Sequence, residues 1–278
     1  MSVFKKLNFN AQTASKNGVL SLKNNDLNAT IVDEKTLPAN VNEIILESHK
    51  PVDFIVILRS KMPELKYVVK ANTSGKIVLI CETENVQVKR QLILEDDASI
   101  TFVFPDFSSG DRIIDFETVL VGKNAVADWN LSTFSNNKEQ KDFNISFSHY
   151  GHASNADMKN YGVLLDGGTL IFSGNSTIYE HVKGAETHQT ARIIVFDPDG
   201  KAEANPNLNI YHNDVIAASH AATVGKVNDE HLYYLGSRGL DEFDAKKLIT
   251  KGYLQPIIEL IDDDTLKDKL LHDLEGIL

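Results

Sequence analysis

A single cysteine, a single tryptophan and three methionines occur in 278 residues. The lone thiol, Cys81, excludes an internal disulfide framework and any CxxC zinc or redox motif, and it fits a reducing cytosol. Positive charge is also scarce. Lys plus Arg number 28 against 39 for Asp plus Glu, a formal balance of −11. An anionic surface repels phosphate backbones, so no nucleic-acid partner is expected. Long apolar runs are missing too. The densest, Phe54 to Leu58, reads as a core strand, and the opening MSVFKKLNFNAQTASKNG has no apolar h-region. The expectation is a cytoplasmic protein without a membrane partner. GxxxxGK[ST], GxGxxG, HExxH and GxSxG are all absent, so nucleotide-driven or hydrolytic chemistry has no motif to rest on.

What the chain does have is core-forming material and strands. Hydrophobic residues are 42% and charged residues 24%, enough to build a sizeable core. From Val19 to Val227, β-branched and aromatic runs follow one another: VLSL, NEIILE, DFIVIL, KIVLI, SITFVF, RIIDFETVLV, FNISFS, ARIIVF. Phe143, Ile145 and Phe147 alternate with Asn144, Ser146 and Ser148, the period of a half-buried strand, and Asp128 to Thr133 does the same around Trp129. Turn formers separate the runs, as in Thr73-Ser74-Gly75 and Asp166-Gly167-Gly168. No helical pattern intervenes, which excludes βαβ crossovers. A sandwich, a barrel and an irregular strand solenoid all remain open on this pattern.

After Val227 the pattern becomes helical. Asn228 caps a helix that Gly239 ends. Asp241 caps a second helix over Glu242 to Lys251, stopped at Gly252, and Pro256 opens a third. Asp264 caps the last, where Leu266, Leu270, Leu274 and Leu278 recur every four residues. The division expected is an N-terminal segment 1–18, a strand body 19–227 and a helical region 228–278. That region either closes the end of the strand body or presents its apolar stripe to a partner.

Candidate chemistry is sparse. His149 and His152 in SHYGH read as a surface-loop pair, and His181 and His188 as a polar corner around Lys183 to Glu186. Cys81 reads as a small buried hydrophobe. Asp111, Asp115 and Glu117, or Asp197 and Asp199, would be the acidic groups of a carbohydrate-active enzyme; turns and solvated strand faces account for them as well.

One segment carries specific marks. Gln189-x-x-Arg192, Pro206-x-Leu208-x-Ile210, Asp214-Val215, Ser219-His220-x-Ala222-Thr223-Val224-Gly225 and Tyr234-Leu235-x-Ser237-Arg238-Gly239 follow in fixed order. This stretch resembles the SufB/SufD family of iron–sulfur cluster assembly proteins, and its SufD branch most. The resemblance implies a mainly β fold, a right-handed parallel β-helix with a small C-terminal helical domain. It implies a non-enzymatic scaffold subunit of a cytoplasmic SufBCD-type complex. The β-helix would pair with a SufB-like paralogue or a second copy through strands around Leu208–Val215 and Ile216–Val224. The helices would dock a SufC-like ABC ATPase, with Leu232, Tyr233, Tyr234, Leu248 and Ile249 as inner or contact residues. His220, by its place in S-H-x-A-T-V-G, corresponds to the family histidine that serves as a transient iron or cluster ligand. A cluster takes about four protein ligands, mostly thiolates. With one thiol per chain, any cluster would be transient and shared with a partner, none being held by this chain alone.

The sequence also departs from the family pattern. Ala218 stands where a cysteine is common and Ala221 where glycine usually follows the histidine, and strand character begins earlier than in members with a longer N-terminal helical region. A degenerate member with an interaction role only is the alternative this opens.

Overall fold

The computed structural model describes residues 18–24, 29–37, 39–60, 64–197 and 199–277. The expected segment 1–18 therefore lies, apart from Gly18, outside the described residues. The first eight strands are β1 Val19–Asn24, β2 Ala29–Asp33, β3 Glu43–Ser48, β4 Val52–Leu58, β5 Glu64–Val69, β6 Ser74–Cys81, β7 Val86–Leu94 and β8 Ser99–Asp106. The next eight are β9 Arg112–Leu120, β10 Val126–Ser135, β11 Gln140–His149, β12 Asn155–Leu164, β13 Thr169–Ile178, β14 Ala185–Val195, β15 Lys201–Ile210 and β16 Val215–Lys226. Odd-numbered strands form one eight-stranded sheet and even-numbered strands the other, each in coil order. Their neighbours pair in parallel. The chain therefore winds as a strand solenoid, resolving the three-way choice left by periodicity.

Coil length explains why no fixed repeat is legible. Glu43 pairs with Lys66, 23 residues on (66 − 43), whereas Asn175 pairs with Asn207, 32 residues on (207 − 175). The coils lengthen along the axis, so self-similarity at one period never builds up.

Inward side chains from both sheets fill the lumen. Phe102, Phe104, Phe116, Trp129, Phe143 and Phe172 are fully buried, with neighbouring ring centroids 5.1–6.2 Å apart. The Trp129 indole N–H donates to Asn160 Oδ1 at 3.0 Å, satisfying its one donor. Two charged knots are buried with the core. Glu34 accepts from Arg90 at 2.6 and 2.7 Å and from the Tyr67 hydroxyl at 2.9 Å. Asp106 accepts from Arg112 at 3.0 Å, Lys141 at 2.8 Å and Thr133 at 2.9 Å. Burial works against the Asp106 carboxylate, but the two cations and the hydroxyl together hold its pKa below the usual value.

A second core lies outside the even-numbered sheet. Its helices are α1 Asp229–Ser237, α2 Glu242–Leu254 and α3 Asp264–Glu275, with a 3₁₀ segment Gln255–Leu260 between the last two. Leu254, Ile257, Ile258, Leu266, Leu270 and Leu274 cover Ile55, Val78, Ile80, Val103, Phe134 and Val163. This is why Phe54 to Leu58 is continuously apolar: both faces of that strand are covered. Five expectations for this region change. The helices cover the flank of the solenoid, not its end. The leucine stripe faces the sheet, with Leu278 outside the described residues. Helix α2 continues through Gly252 to Leu254, and Pro256 opens a 3₁₀ turn; the cap of α3 is Asp263, whose carboxylate accepts from the Leu266 N–H.

One corner is a column of left-handed residues, Asn72, Asp97, Asn124, Ala153 and Gly184. The N–H of each of the five bonds a carbonyl one coil further on, Ala153 to Lys183 and Gly184 to Asp214 among them. Asparagine, aspartate and glycine tolerate this region, but alanine does not. Ala153→Gly relieves that strain, less the entropy glycine loses on folding, and should stabilise by roughly 0.5–1 kcal/mol. A raised urea midpoint at constant m-value would show it; a lowered midpoint would contradict it.

Candidate functional site

Among the described residues, no strand stacks on the last coil. β15 and β16 are the terminal strands of the two sheets, each with a neighbour on one side only. Their inward residues follow from register. Ala202, Ala204, Pro206, Leu208 and Ile210 stand over inward positions of β13, and Ala218, His220, Ala222 and Val224 over inward positions of β14. Without a further coil these inner residues reach solvent: Ile210 is 42% and Val224 44% exposed. The inward positions at the mouth are thus mostly apolar; among the described residues of β15 and β16 the titratable ones over inward positions are His220, mid-strand, and Lys226, over Val195 at the strand end.

His220 lies mid-strand in β16, in register with Gln189, and its imidazole is exposed. It is not a corner residue. Ala218, the departure from the family cysteine, faces the same mouth two residues away. Gln189, below, is 3% exposed and donates to Ser176 Oγ at 2.8 Å and to the Asn207 carbonyl at 3.0 Å.

The two edges are not equivalent. Backbone bonds from Lys201 to Gly168 and from Tyr211 to Ile178 set the alternation on β15, which puts Pro206 on its free side. Proline has no N–H to offer an incoming strand, and edge strands are where it is tolerated. On the outer face of the odd-numbered sheet, Asn144 donates to Asp115, Asn175 to Asn144 and Asn207 to Asn175, at 3.2–3.3 Å. That amide ladder ends at the edge. The outer face of the even-numbered sheet carries a different chain: Asn155 donates to Glu186 at 3.2 Å, Glu186 meets His188 Nε2 at 2.9 Å, and His188 Nδ1 meets Ser219 Oγ at 2.7 Å. Reading the sequence missed this relay, since 31 residues separate His188 from Ser219 and only coil register brings them together.

The helical contact candidates separate by exposure. Tyr233 is 80%, Tyr234 56% and Leu248 50% exposed, joined by Phe243 at 55%; Leu232 and Ile249 are half-buried. Arg238 lies over the Tyr234 ring, 5.3 Å from its centroid.

Other candidates take structural places. Cys81 is buried, and burial, reinforced by the Asp106 carboxylate, pushes its thiol up to about 12, far from a reactive thiolate. Asp115 and Glu117 hydrogen-bond Asn144, Gln91 and Ser148 along a strand face, and Asp197 closes a turn on Gly167 and Asp199. Among the described residues no group of three or more His, Cys, Asp or Glu is placed to hold a metal. His188 sits mid-strand, while His181 is at a corner with Nε2 3.1 Å from the Tyr150 carbonyl. His149 corrects the surface-loop reading. It is fully buried on the inward phase of β11, with Nδ1 2.8 Å from Ser154 Oγ.

The core domain described as "SUF system FeS cluster assembly, SufBD core domain" matches residues 33–253, most of the solenoid and the first two helices. The chain belongs to the SufBD core family. It is 30% identical over 179 residues to the iron–sulfur cluster assembly protein SufD of Bacillus subtilis (strain 168), covering 64% of this chain and 41% of that one. It is 27% identical over 182 residues to SufD of Escherichia coli (strain K12), covering 65% and 42%. A SufBD family protein of Mycobacterium leprae (strain TN) is 30% identical over 105 residues, 38% and 27% of the two chains. The matches to the two SufD relatives span about two fifths of their length. Within the SufBD family the chain is SufD-like, and the solenoid and helices that the resemblance implied are present. No described helix is long and apolar enough to cross a membrane.

Burial lowers the His149 pKa from 6.5 to about 4, because desolvation penalises the imidazolium. The fold therefore favours neutral His149. Its contribution is present above the unfolded value near 6.5 and is lost as pH falls towards 4, up to about 3 kcal/mol. Denaturant melts from pH 7.5 to 4.5 should steepen below pH 6.5 in the native protein and flatten in His149→Gln; parallel profiles would refute the assignment.

Proposed function

We propose that this chain is a SufD-like scaffold subunit of a cytoplasmic SUF-type iron–sulfur cluster assembly complex and not an enzyme by itself. The observation that carries the reading is the uncovered last coil. Two free strand edges and an apolar mouth form a surface that a soluble protein normally covers, and another chain satisfies both at once. The occupant in this reading is a SufB-like paralogue or a second copy, meeting β15 and β16.

His220 then supplies one neutral imidazole to iron or a nascent cluster, as substrate, at the junction. Coordination uses a ring nitrogen lone pair, so iron and a proton compete for the same atom. The thiolates come from the partner, since Cys81 is buried and protonated. Tyr233, Tyr234 and Leu248, with Leu232 and Ile249 behind them, serve as the docking face for a SufC-like ABC ATPase. That division of labour suits a chain without a phosphate loop.

A second reading is favoured by Ala218. The family cysteine would sit at the mouth beside His220, and an alanine there removes a ligand from the site. In that reading the chain keeps its interaction surfaces and does no cluster chemistry.

Affinity purification of the full chain from native extract should recover an ABC-type ATPase and a cysteine-bearing paralogue. Tyr233→Asp with Leu248→Asp should lose the ATPase at least tenfold with the circular dichroism unchanged; undiminished recovery would remove the docking face. In a reconstituted complex, His220→Ala should lower the rate of cluster formation at least fivefold while assembly by size exclusion is retained. An unchanged rate would leave the interaction-only reading in its place.

A further inference from the structure

Strand β16 contains one residue more than its neighbour. Ala185 is in register with Val215 and Glu186 with Ala217, so Ile216 has no counterpart on β14 and stands 70% exposed. Such a bulge exchanges the faces of everything beyond it, because side chains alternate. With the surplus taken up at Ile216, Ser219 falls outward over His188 and His220 inward over Gln189. If it were taken up beyond His220, Ser219 would stand over Gln189, and His220 would point outward beside Thr190.

Hydrophobic patterning does not choose between these two phases. The stretch Ile216-Ala217-Ala218-Ser219-His220-Ala221-Ala222 offers alanine to the lumen in either, and no further coil buries it. Register is weakly specified where burial is weak. What differs is polar. Only with the surplus at Ile216 does Ser219 Oγ meet His188 Nδ1 at 2.7 Å, with Glu186 holding the other ring nitrogen at 2.9 Å and Asn155 holding Glu186 at 3.2 Å.

We infer that Ser219 and His188, backed by Glu186, are positioning residues for His220: their hydrogen-bonded chain keeps the bulge at Ile216 and so selects the phase of β16 that points His220 into the mouth. The use of that phase rests on the role proposed for His220 above; the phase itself does not.

Cysteine pairs read the phase directly, since in-register neighbours fall within disulfide reach. Gln189→Cys with His220→Cys reports the inward phase, and Thr190→Cys with His220→Cys the outward one; both retain Ser219 and His188. Under mild oxidation and peptide mapping of the full chain, the first pair should close and the second stay open. Adding Ser219→Ala, which removes one exposed hydroxyl, or His188→Ala, should raise the ratio of 190–220 to 189–220 cross-link at least tenfold. Deleting Ile216 in the His188→Ala background removes the surplus residue and should restore the 189–220 cross-link. Ratios unchanged in Ser219→Ala and His188→Ala alike would overturn the inference. So would failure of the Ile216 deletion to restore the inward pair in a folded protein. If the phase shifts as expected while His220→Ala leaves cluster formation untouched, only the role of His220 falls.

Discussion

Everything in this molecule follows from coil-on-coil stacking. Each strand completes its backbone hydrogen bonds with the strands one coil above and below, and each coil buries its inward side chains against the same two neighbours. That arrangement is self-consistent along its length and fails at its end. The final coil retains unpaired edges and an uncovered interior because the rule that stabilises the other coils has no next member to act through. The open edges and mouth on which the proposed pairing rests are therefore produced by the fold itself.

The same rule sorts the polar residues. Deep in the solenoid, Glu34 and Asp106 are tolerated because arginine, lysine, tyrosine and threonine donors surround them. Toward the open end the polar groups serve register instead. The Asn144–Asn175–Asn207 ladder and the Glu186–His188–Ser219 relay each join successive coils where apolar packing thins. The only cysteine lies with the first kind, against the charged knot around Asp106, which is why its thiol is raised and shielded. In the function proposed above, a chain of this design lends a frame and an imidazole and takes its thiolates and its nucleotide chemistry from others.

How much was legible depended on burial. Runs such as Phe143 to Ser148 declare themselves because one face is buried and the other is not. The terminal strands do not: in β16 alanines occupy both faces and burial contrast is slight, so periodicity says little there and motif resemblance did the work. Helices α1 to α3 were readable from caps and spacing, yet their seat on the sheet flank was not. The apolar outer positions Ile55, Val78 and Val103 that receive them are the same letters as lumen residues. His149 was misplaced for a related reason. A histidine near a glycine reads as polar loop, whereas here it closes an inward phase with Ser154 as its partner.

Alternation, turn residues, caps and the ordered motifs from Gln189 to Gly239 are local properties, and they determined that the chain is strands followed by helices and akin to SufB and SufD. Where the coils end, which flank the helices cover and which way His220 points were decided only by tertiary structure. Each of these depends on register between residues about thirty positions apart, and that register is set by coil lengths that vary along the axis and by a single unpaired residue at Ile216. Such relations arise from backbone pairing in space, and neighbouring residues along the chain carry no trace of them.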